Sequence, residues 1–539
     1  MPQLALKESS LWANRKCLFI CTIVSIANLQ YADFVPVSIG LDSAAVGGLQ
    51  AMPGFLRVFG YASPKAPGGY AIDSTFQQLI ASLLTLGSFI SALTAGTFSH
   101  FFGRKVALWV ACVLNGVACI IQITSTTPAA IYIGRLILGF ANGFLVTFSN
   151  IYTSEASPAH LRGVIVALFA YWVNIGSIVG AAVTNATKAD DLHGSIARLD
   201  KASYQIPIGT LFIVPMILAV GLLFVPESPR YLLAKGRESE AKKSLESLRG
   251  TSVAPEIVEL EWAEMVKGIE EEKRLATTVG ALDMFKGTDL RRTLLCFGMI
   301  ACQTGSGVWF VISYGTYFLT VSGLTVSDAF AYTIMATCLG FVGVNMGMYL
   351  MRNHLGRRSI LMLGGVICGC SQLGLAVSAT VAPGTQANLN CLIGFTALFK
   401  WGYNMCVGAA SYPVATELVS TRLRAWTVGS ATSFGYFLAW LNAFCTPYFI
   451  NPQNLGWGAK YGYIWAGSNF LCVLFFFFCM PEMKGRTLEE IDELFANKVA
   501  AWKFKSYETT IGAEAAQEVE EKVFEKGAST ETRERANGK

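Results

Sequence analysis

The sequence predicts an all-α membrane protein of twelve transmembrane helices, arranged as two pseudo-symmetric six-helix bundles. Of its 539 residues, 53% are hydrophobic and only 14% are charged, whereas about 25% of the residues of ordinary soluble domains are charged. The mean hydropathy is +0.47. Twelve apolar runs approach the roughly 20 residues that a helix needs to cross a bilayer. Short charged motifs occur once in each half of the chain, which indicates a tandem duplication.

Three motifs carry this duplication. They are Gly103-Arg104-Lys105 with Gly356-Arg357-Arg358, Pro226-Glu227 with Pro481-Glu482, and the pair Glu155 and Arg162 with the equally spaced pair Glu417 and Arg424. The repeat is far longer than the roughly 20 to 50 residues of a solenoid unit. Each half should therefore form a bundle of its own.

The first apolar region, 18–56, is too long for one crossing. As a single helix it would measure roughly 58 Å, about twice the hydrocarbon core. Pro36 also interrupts it, so the region must break, tilt or unwind. The other predicted helices are 76–98, 106–124, 130–151, 163–185, 206–226, 293–320, 328–351, 359–382, 389–412, 425–447 and 461–480.

These helices divide the chain into an N-terminal bundle, 18–226, and a C-terminal bundle, 290–482. Alternating charge and helical periodicity predict a cytoplasmic amphipathic linker over 227–289. Residues 1–17 are a short polar tail. The 483–539 tail is predicted to be cytoplasmic and largely disordered, because few apolar residues follow about position 496.

The distribution of Lys and Arg predicts that both termini are cytoplasmic, because these residues concentrate in alternate loops. The sequon Asn185-Ala186-Thr187 then lies at the outer face and is a candidate glycosylation site. No early segment has the pattern of a cleaved signal peptide, so we interpret the first apolar run as a retained helix.

Several function classes are disfavoured. The fourteen cysteines lie mostly in apolar runs without a CxxC framework, so neither structural disulfides nor a metal site is expected. The net charge of +5 comes from loops and tails and not from a basic stripe, so no nucleic-acid partner is expected. No nucleophile and base set or phosphate-cradling loop is visible, so we expect neither an enzyme nor a cofactor.

Four groups of motifs resemble the signatures of the sugar porter branch of the major facilitator superfamily, over roughly residues 40–495. They are Gly134-Arg135 with Gly139 and Gly143; Glu155-Ala156-Ser157-Pro158 with Arg162-Gly163; Pro226-Glu227-Ser228-Pro229-Arg230 with Lys235-Gly236-Arg237; and Pro481-Glu482 with Lys484-Gly485-Arg486-Thr487 and Glu489-Glu490-Ile491-Asp492. Details such as Gln50-Ala51-Met52-Pro53-Gly54-Phe55 are most similar to fungal members, including hexose and disaccharide permeases. The resemblance implies a monomeric secondary active transporter of a sugar or polyol in the plasma membrane.

Charged residues at the cytoplasmic ends of the helices are expected to form a gate network. They are Arg104, Glu155, Arg162, Glu227, Arg230, Arg357, Glu417, Arg424, Glu482 and Arg486. The alternative is ordinary loop charge under the positive-inside rule, although that rule does not explain the Glu residues. Where family members carry Asp-Arg before the Gly-Arg motif, this chain has His100-Phe101 and Asn353-His354, which should weaken the network.

The resemblance also implies proton coupling. Gly40-Leu41-Asp42 resembles the Gly-aromatic-Asp of helix 1, whose carboxylate pairs with an Arg of helix 4, here Arg135. Such a carboxylate alternates between protonated and paired forms. A static buried pair is the alternative, and Asp33 is a rival carboxylate. Residues 32–39 have no counterpart in the family pattern.

For the substrate, the resemblance points to amide and aromatic residues in helices 5, 7, 10 and 11. They are Gln303, Thr304, Trp309, Tyr314, Asn404, Tyr412, Asn442, Trp172 and Asn174. Sugars need such groups for their hydroxyls and C–H faces, although helix packing is the alternative for the aromatic members. Lys400, near the bilayer midplane, should face a cavity and either contact substrate, find a partner or snorkel.

Three functions remain open at this stage. The first is import of a sugar or polyol driven by the proton gradient, with the two halves rocking about a midplane site. The second is transport or export of another metabolite on the same scaffold. The third is a sugar sensor that binds without net transport.

Overall fold

A computed structural model of the chain describes residues 14–27, 50, 52–62, 70–158, 162–187, 201–251, 253–278, 280–420, 423–484, 486, 488–504 and 506–507. The described part of the N-terminal half is almost entirely helical. Its elements are α1 (Arg15–Ser25), α2 (Pro53–Phe59), the two-residue strands β1 (Tyr61–Ala62) and β2 (Tyr70–Ala71), α3 (Ser74–Phe102), α4 (Arg104–Thr124), α5 (Pro128–Ala156), α6 (Arg162–Thr187), α7 (Ala202–Thr210) and α8 (Ile213–Phe224). The strands pair antiparallel, with Tyr61 opposite Ala71.

The linker and the C-terminal half continue this helical pattern. The linker holds α9 (Pro229–Ala234), α10 (Glu238–Arg249), α11 (Pro255–Thr278) and a 3₁₀ turn at Ala281–Phe285. The C-terminal half holds α12 (Gly287–Gly305), α13 (Val308–Val321), α14 (Val326–Asn353), α15 (Arg357–Val381), α16 (Gln386–Tyr403), a π-helical segment (Asn404–Gly408), α17 (Ala409–Leu418), α18 (Arg424–Ile450), a 3₁₀ turn (Gly458–Tyr461) and α19 (Gly462–Phe478). Helix α20 (Leu488–Ala496) follows.

Eight helical segments in the described ranges are long and apolar enough to cross a membrane. Helices α6 and α18 are as long as these segments, with 26 and 27 residues, and exceed the roughly 20 residues of a crossing helix. Large apolar side chains point outward from these helices; Phe224 is 79% exposed and Leu471 is 68% exposed. Such a surface suits hydrocarbon rather than water. The predicted all-α membrane fold is therefore confirmed, although much of the first predicted helix lies outside the described residues.

Helix 6 of the prediction is interrupted at a place that the sequence explains. Its two parts, α7 and α8, meet at Leu211 and Phe212, whose N–H groups bond three residues back, to Ile208 and Gly209. Pro215 has no N–H group to donate to the carbonyl of Leu211, and its ring disfavours a continuous α-helix there. The helix therefore has a tighter turn at Leu211 and Phe212, and the chain continues as α8.

The two halves repeat the same helix packing. Helix α5 lies against α3 and α4, and the segment from α16 to the π-helical turns lies against α14 and α15. A Cβ atom on Gly139 would overlap the carbonyl oxygen of Leu84, and one on Gly347 would overlap that of Met405. Such close backbone approach needs residues without side chains. Across the halves, α3 packs along α18, and α6 along α14.

The linker is fixed to the N-terminal half by a buried arginine. Arg249 is only 2% exposed, and its guanidinium donates to Glu261 of α11 and, at 2.9 Å, to the carbonyl oxygen of Ala156 at the end of α5. A buried charge needs this degree of pairing. The helical linker is thus docked on the bundle.

The chain after residue 483 has more structure than its composition suggests. Helix α20 packs its apolar face onto the C-terminal half, and Phe504 is fully buried against Phe495. The guanidinium of Arg486 donates to Glu490 and to the carbonyl oxygens of Phe504 and Tyr507. Residues 508–539, to which the expectation of disorder also applies, lie outside the described residues.

Substitution of Gly139 by alanine should destabilise the N-terminal half. The added methyl group meets backbone, which cannot rotate away, and overpacking of this kind costs about 1–3 kcal/mol. We expect a lower melting temperature for the detergent-solubilised variant. Gly467→Ala is the matched control, because nothing lies within 4 Å of its added Cβ. Equal melting temperatures for the two variants would contradict the close helix contact.

Candidate functional site

The candidate site is built around a break in the seventh crossing helix. Helix α12 ends at Gly305 and α13 begins at Val308, with Gly307 between them at φ +81°. A Cβ on Gly307 would come within 2.5 Å of the Trp465 ring, so both the conformation and the space require glycine. The break therefore follows from the Gly-Ser-Gly sequence.

The carbonyl groups released by this break are satisfied by α19. Ser468 Oγ donates to the oxygen of Gly305 at 2.6 Å, and Asn469 Nδ2 donates to the oxygen of Ser306 at 2.9 Å. In hydrocarbon an unsatisfied carbonyl costs several kcal/mol. The two side chains hold the break in one geometry.

Gln303 and Thr304 occupy the last turn before the break, and both are buried. The phenol of Tyr403, at the end of α16, lies beside the side chains of Gln303 and Ser306. The structure therefore brings the predicted helix 7 residues next to helix 10. Sequence reasoning did not single out Tyr403.

Helix 10 changes to π-helical geometry over Asn404–Gly408. Asn404 is buried, and its Oδ1 atom forms no hydrogen bond with any described residue. The hydroxyl of Tyr403 likewise has no hydrogen bond of good geometry there. Local π-helical turns are frequent at functional sites, and buried polar atoms without partners are rare. These atoms are candidates for binding a polar ligand.

Two other predicted residues of helix 7, Tyr314 and Trp309, pack in the core of the C-terminal half without forming a binding group. The hydroxyl of Tyr314 donates to the carbonyl oxygen of Ala443 at 2.7 Å, and Trp309 is buried among apolar residues. Both therefore serve packing in this conformation. Asn442 differs, because its Oδ1 accepts from Thr446 while its Nδ2 is buried without a partner among the described residues.

Tyr412, Trp172 and Asn174 complete the predicted substrate set. Tyr412 lies in α17, half-buried, with its hydroxyl beside Thr432 of α18. On α6, Asn174 is fully buried and Trp172 is half-buried, and no described residue accepts from the indole Nε1 of Trp172. Asn185 also lies on α6, half-buried in its last turn, so the candidate glycosylation site is part of a helix.

The predicted proton-coupling pair is described in part. Arg135 is buried in α5, and its Nε donates to the carbonyl oxygen of Ile80 at 3.3 Å. It lines a small pocket together with Gln50 and Gln122. Asp42 and the rival Asp33 lie outside the described residues, so the coupling stays a prediction.

Lys400 lies one turn before the π-helical segment and is only 6% exposed. Its Nζ lies 3.4 Å from Thr337 Oγ1 of α14. Its side chain lines a second pocket between α13, α14 and α16. Within the described ranges, no group of three or more His, Cys, Asp or Glu side chains could hold a metal ion.

At the far end, the end opposite the Gly-Arg motifs, an amide network joins the two halves. Asn451 Nδ2 donates to Gln77 Oε1 at 2.8 Å and to Ser74 Oγ at 3.1 Å. The hydroxyl of Tyr317 donates to Asn451 Oδ1, and Gln77 Nε2 donates to Gln50 Oε1. No local pattern in the sequence predicts this network, because its members come from distant segments.

At the charged end, the end that carries the Gly-Arg motifs, the N-terminal half holds a bidentate ion pair. Arg104 Nη2 lies 2.7 Å from Glu155 Oε1, and Nε lies 3.0 Å from Oε2. Ser228 Oγ donates to the same carboxylate. Glu227 accepts from the backbone N–H groups of Arg104 and Lys105, at the N-terminus of α4. A carboxylate at a helix N-terminus is favoured by the orphan N–H groups and the helix dipole.

Burial raises the pKa of Glu227 above its ordinary value, while the N–H groups of Ser228, Lys105 and Arg104 act in the opposite direction. Its protonated form is therefore favoured more than that of an exposed glutamate.

The C-terminal half repeats this arrangement. Arg357 Nη2 lies 3.1 Å from Glu417 Oε1, and Glu482 accepts from the backbone N–H groups of Arg357 and Arg358 at 2.8 and 3.2 Å. Glu227 and Glu482 thus accept from the first N–H groups of α4 and α15, the third crossing helix of each half. Each ion pair also joins helices of one half, and pairing of these residues across the halves stays a prediction.

The remaining predicted gate residues have varied surroundings. Arg486 anchors the chain end described above. The Nε and Nη2 atoms of Arg424 are buried without a partner among the described residues, whereas Arg230 interacts with other residues. The side chain of Arg162 lies outside the described residues.

Comparisons with known proteins agree with this architecture. The family described as "Sugar (and other) transporter" matches residues 30–495. The chain is 29% identical over 480 residues to the major facilitator-type transporter ecdD of Aspergillus rugulosus, covering 86% of each chain. It is 27% identical over 497 residues to the high-affinity fructose transporter ght6 of Schizosaccharomyces pombe, covering 90% of each. It is 28% identical to the high glucose sensor RGT2 of Saccharomyces cerevisiae, covering 91% of this chain and 63% of the sensor.

Solved structures share the fold. The xylose transporter XylE of Escherichia coli, in a partially occluded inward-open conformation, superposes with a TM-score of 0.68 at 17% identity, over 87% of this chain and 99% of XylE. The nucleoside transporter NupG superposes with a TM-score of 0.54 at 15% identity, over 86% of this chain and 99% of NupG. With a family match over most of its length, the chain belongs to the sugar (and other) transporter family, the sugar porters of the major facilitator superfamily.

Proposed function

We propose that the protein imports a sugar or a related polyol together with protons, by alternating access, as a monomer in the plasma membrane with both termini cytoplasmic. The observation that carries this proposal is the pair of buried polar groups beside the helix 7 break, Asn404 Oδ1, which has no partner among the described residues, and the Tyr403 hydroxyl, which has no hydrogen bond of good geometry there. Sugar hydroxyls both donate and accept, so they suit such a set. Relatives that carry hexoses, such as the ght6 fructose transporter, support the substrate class.

A second candidate is transport of a metabolite other than a sugar. Two substitutions in the helix 7 motif favour it, because Thr304 replaces the second glutamine and Trp309 replaces an asparagine in the sugar porter pattern. The similarity to ecdD, described only as a major facilitator-type transporter, agrees with this alternative. Both candidates use the same residues beside the helix 7 break and differ in the solute that binds there.

Uptake of a panel of radiolabelled sugars in transporter-deficient yeast, with and without a protonophore, tests the proposal. We expect protonophore-sensitive accumulation of at least one sugar or polyol. No uptake of any sugar, together with protonophore-sensitive efflux of another solute, would favour the second candidate. Sugar binding without net flux would instead indicate a sensor.

Asn404→Ala should weaken substrate affinity without reducing stability. The Oδ1 atom that it removes makes no hydrogen bond with the described part of the protein, whereas a hydrogen bond to substrate contributes about 0.5–1.5 kcal/mol, or roughly 2- to 13-fold in affinity. Gln303→Ala should also weaken affinity. Equilibrium binding and melting temperature measure the two effects. Gln386→Ala, at the exposed start of α16, is the control. Unchanged affinity in both site variants would place the substrate elsewhere.

Asp42→Asn should abolish accumulation while sparing binding, because an amide cannot carry a proton across the cycle. Uphill uptake of labelled substrate measures accumulation, and equilibrium exchange measures binding without accumulation. We expect exchange to persist and protonophore-sensitive accumulation to vanish. Asp33→Asn is the matched control for the rival carboxylate. Undiminished uphill uptake by Asp42→Asn would refute proton coupling through this residue.

Arg104 and Glu155 should contribute jointly, through their ion pair, to stability and to transport rate. We propose that this ion pair and its counterpart in the other half keep the charged end of each bundle rigid while the halves move. The side chains are 18% and 14% exposed, so their loss should lower both melting temperature and transport rate. In a double-mutant cycle, the coupling energy for Arg104→Ala and Glu155→Ala should reach about 0.5–3 kcal/mol. The exposed pair of Arg237 and Glu240, at 56% and 51%, should show near-zero coupling. Additive effects of the two Arg104 and Glu155 substitutions would contradict a joint role.

A further inference from the structure

Lys400 is a charged group for which the proposed function so far has no use. It projects from α16 into a small pocket whose polar members are Tyr332, Thr333 and Thr396. Its Nζ lies 3.4 Å from Thr337 Oγ1, a long contact with a neutral group. In the parts of the chain that the structure describes, no carboxylate forms an ion pair with it. An unpaired ammonium at this depth costs roughly 2.5–3.5 kcal/mol on insertion scales.

The surroundings of Lys400 offer hydrogen-bond donors and space. The Thr396 hydroxyl is buried and has no partner among the described residues. Gly315, on the opposite wall in α13, has open space where a side chain would be, because nothing lies within 4 Å of an added Cβ. The pocket is small, about 10 Å³ in volume, so an ammonium and a hydroxyl group on its wall suit only a compact anionic group.

The pocket lies one helical turn along α16 from the candidate sugar site at Asn404. Thr396, Lys400 and Asn404 follow one another at intervals of four residues, so they line the same face of helix 10. Successive members are about 6 Å apart along the axis, roughly the length of a sugar ring. A solute whose hydroxyls meet Asn404 therefore has its other end one turn away, at Lys400.

We propose that Lys400 and Thr396 bind the carboxylate of a transported sugar acid, whose hydroxyl groups contact Gln303 and Asn404. This proposal rests on the proposed transport of sugar-like solutes and narrows their class. The ammonium of Lys400 pairs with the carboxylate and Thr396 Oγ donates to it, which removes the cost of leaving both groups unpaired. A free monovalent anion such as chloride has the same recognition chemistry but would need no contact with Asn404.

Binding of D-glucuronate, D-glucose and chloride to the purified full-length protein tests the assignment. We expect the wild type to bind glucuronate about 5- to 13-fold more tightly than glucose, because a hydrogen bond to a charged group contributes about 1–1.5 kcal/mol more than a neutral one. The ratio should fall toward one in Lys400→Met, which keeps the length of the side chain, and should be retained in Lys400→Arg. Thr396→Val should reduce the ratio in part.

Lys460→Met is the matched control, because Lys460 is an exposed lysine at the far end, and it should keep the wild-type ratio. An unaltered ratio in both Lys400→Met and Thr396→Val would overturn the assignment, as would equal wild-type affinities for glucuronate and glucose. Chloride binding that depends on Lys400 and does not compete with glucuronate would assign the pocket to a free anion instead. Wild-type protein that binds neither glucuronate nor glucose would overturn the assignment of a sugar acid, whereas the proposed function itself is overturned only by the absence of uptake across the full sugar panel.

Discussion

A backbone in hydrocarbon must satisfy its own hydrogen bonds, and the rest of this structure depends on that constraint. Regular helices meet it without help, so every departure from regular helix needs a local substitute. At the helix 7 break, Ser468 and Asn469 supply that substitute by bonding the carbonyl oxygens of Gly305 and Ser306. The break is therefore rigid, and it fixes the last turn of α12 on which Gln303 lies. A precise binding group in a membrane protein requires such a supported irregularity.

The same constraint separates side chains that pack from side chains that bind. Tyr314 and Asn404 are both buried polar residues that the sequence resemblance places in the substrate site. The hydroxyl of Tyr314 is satisfied by the carbonyl oxygen of Ala443, whereas Asn404 Oδ1 has no partner among the described residues. An unsatisfied buried acceptor costs about 1–3 kcal/mol, and a ligand that bonds it recovers this energy. Buried polar atoms without partners in the described part of the chain, such as Asn404 Oδ1, are thus the ones expected to contact a ligand.

The sequence predicts the helices well because a crossing helix must be apolar for about 20 residues, and the motifs identify the family because they are short and local. It predicts less where contacts join distant segments. Arg486 was expected at the gate, but it holds the chain end through the carbonyl oxygens of Phe504 and Tyr507, which no composition rule reveals. Tyr403 was missed because its position beside Gln303 and Ser306 brings together two helices that are about 100 residues apart in the sequence. The network of Gln77 and Asn451 was missed because nothing in either local sequence indicates the other.

The positions of these contacts constrain how the two halves can move. The ion pairs at the charged end lie within single halves, so rigid rotation of one half against the other leaves them intact. The bonds from Asn451 to Gln77 and Ser74 cross between the halves at the far end, and rotation that opens this end must break them. Neutral amide bonds are weak, at about 0.5–1.5 kcal/mol each, so they bias the equilibrium without locking it. Strong charged contacts thus hold each half together, and weak neutral contacts join the halves at the far end. That division of strength is what proposed alternating access between two bundles requires.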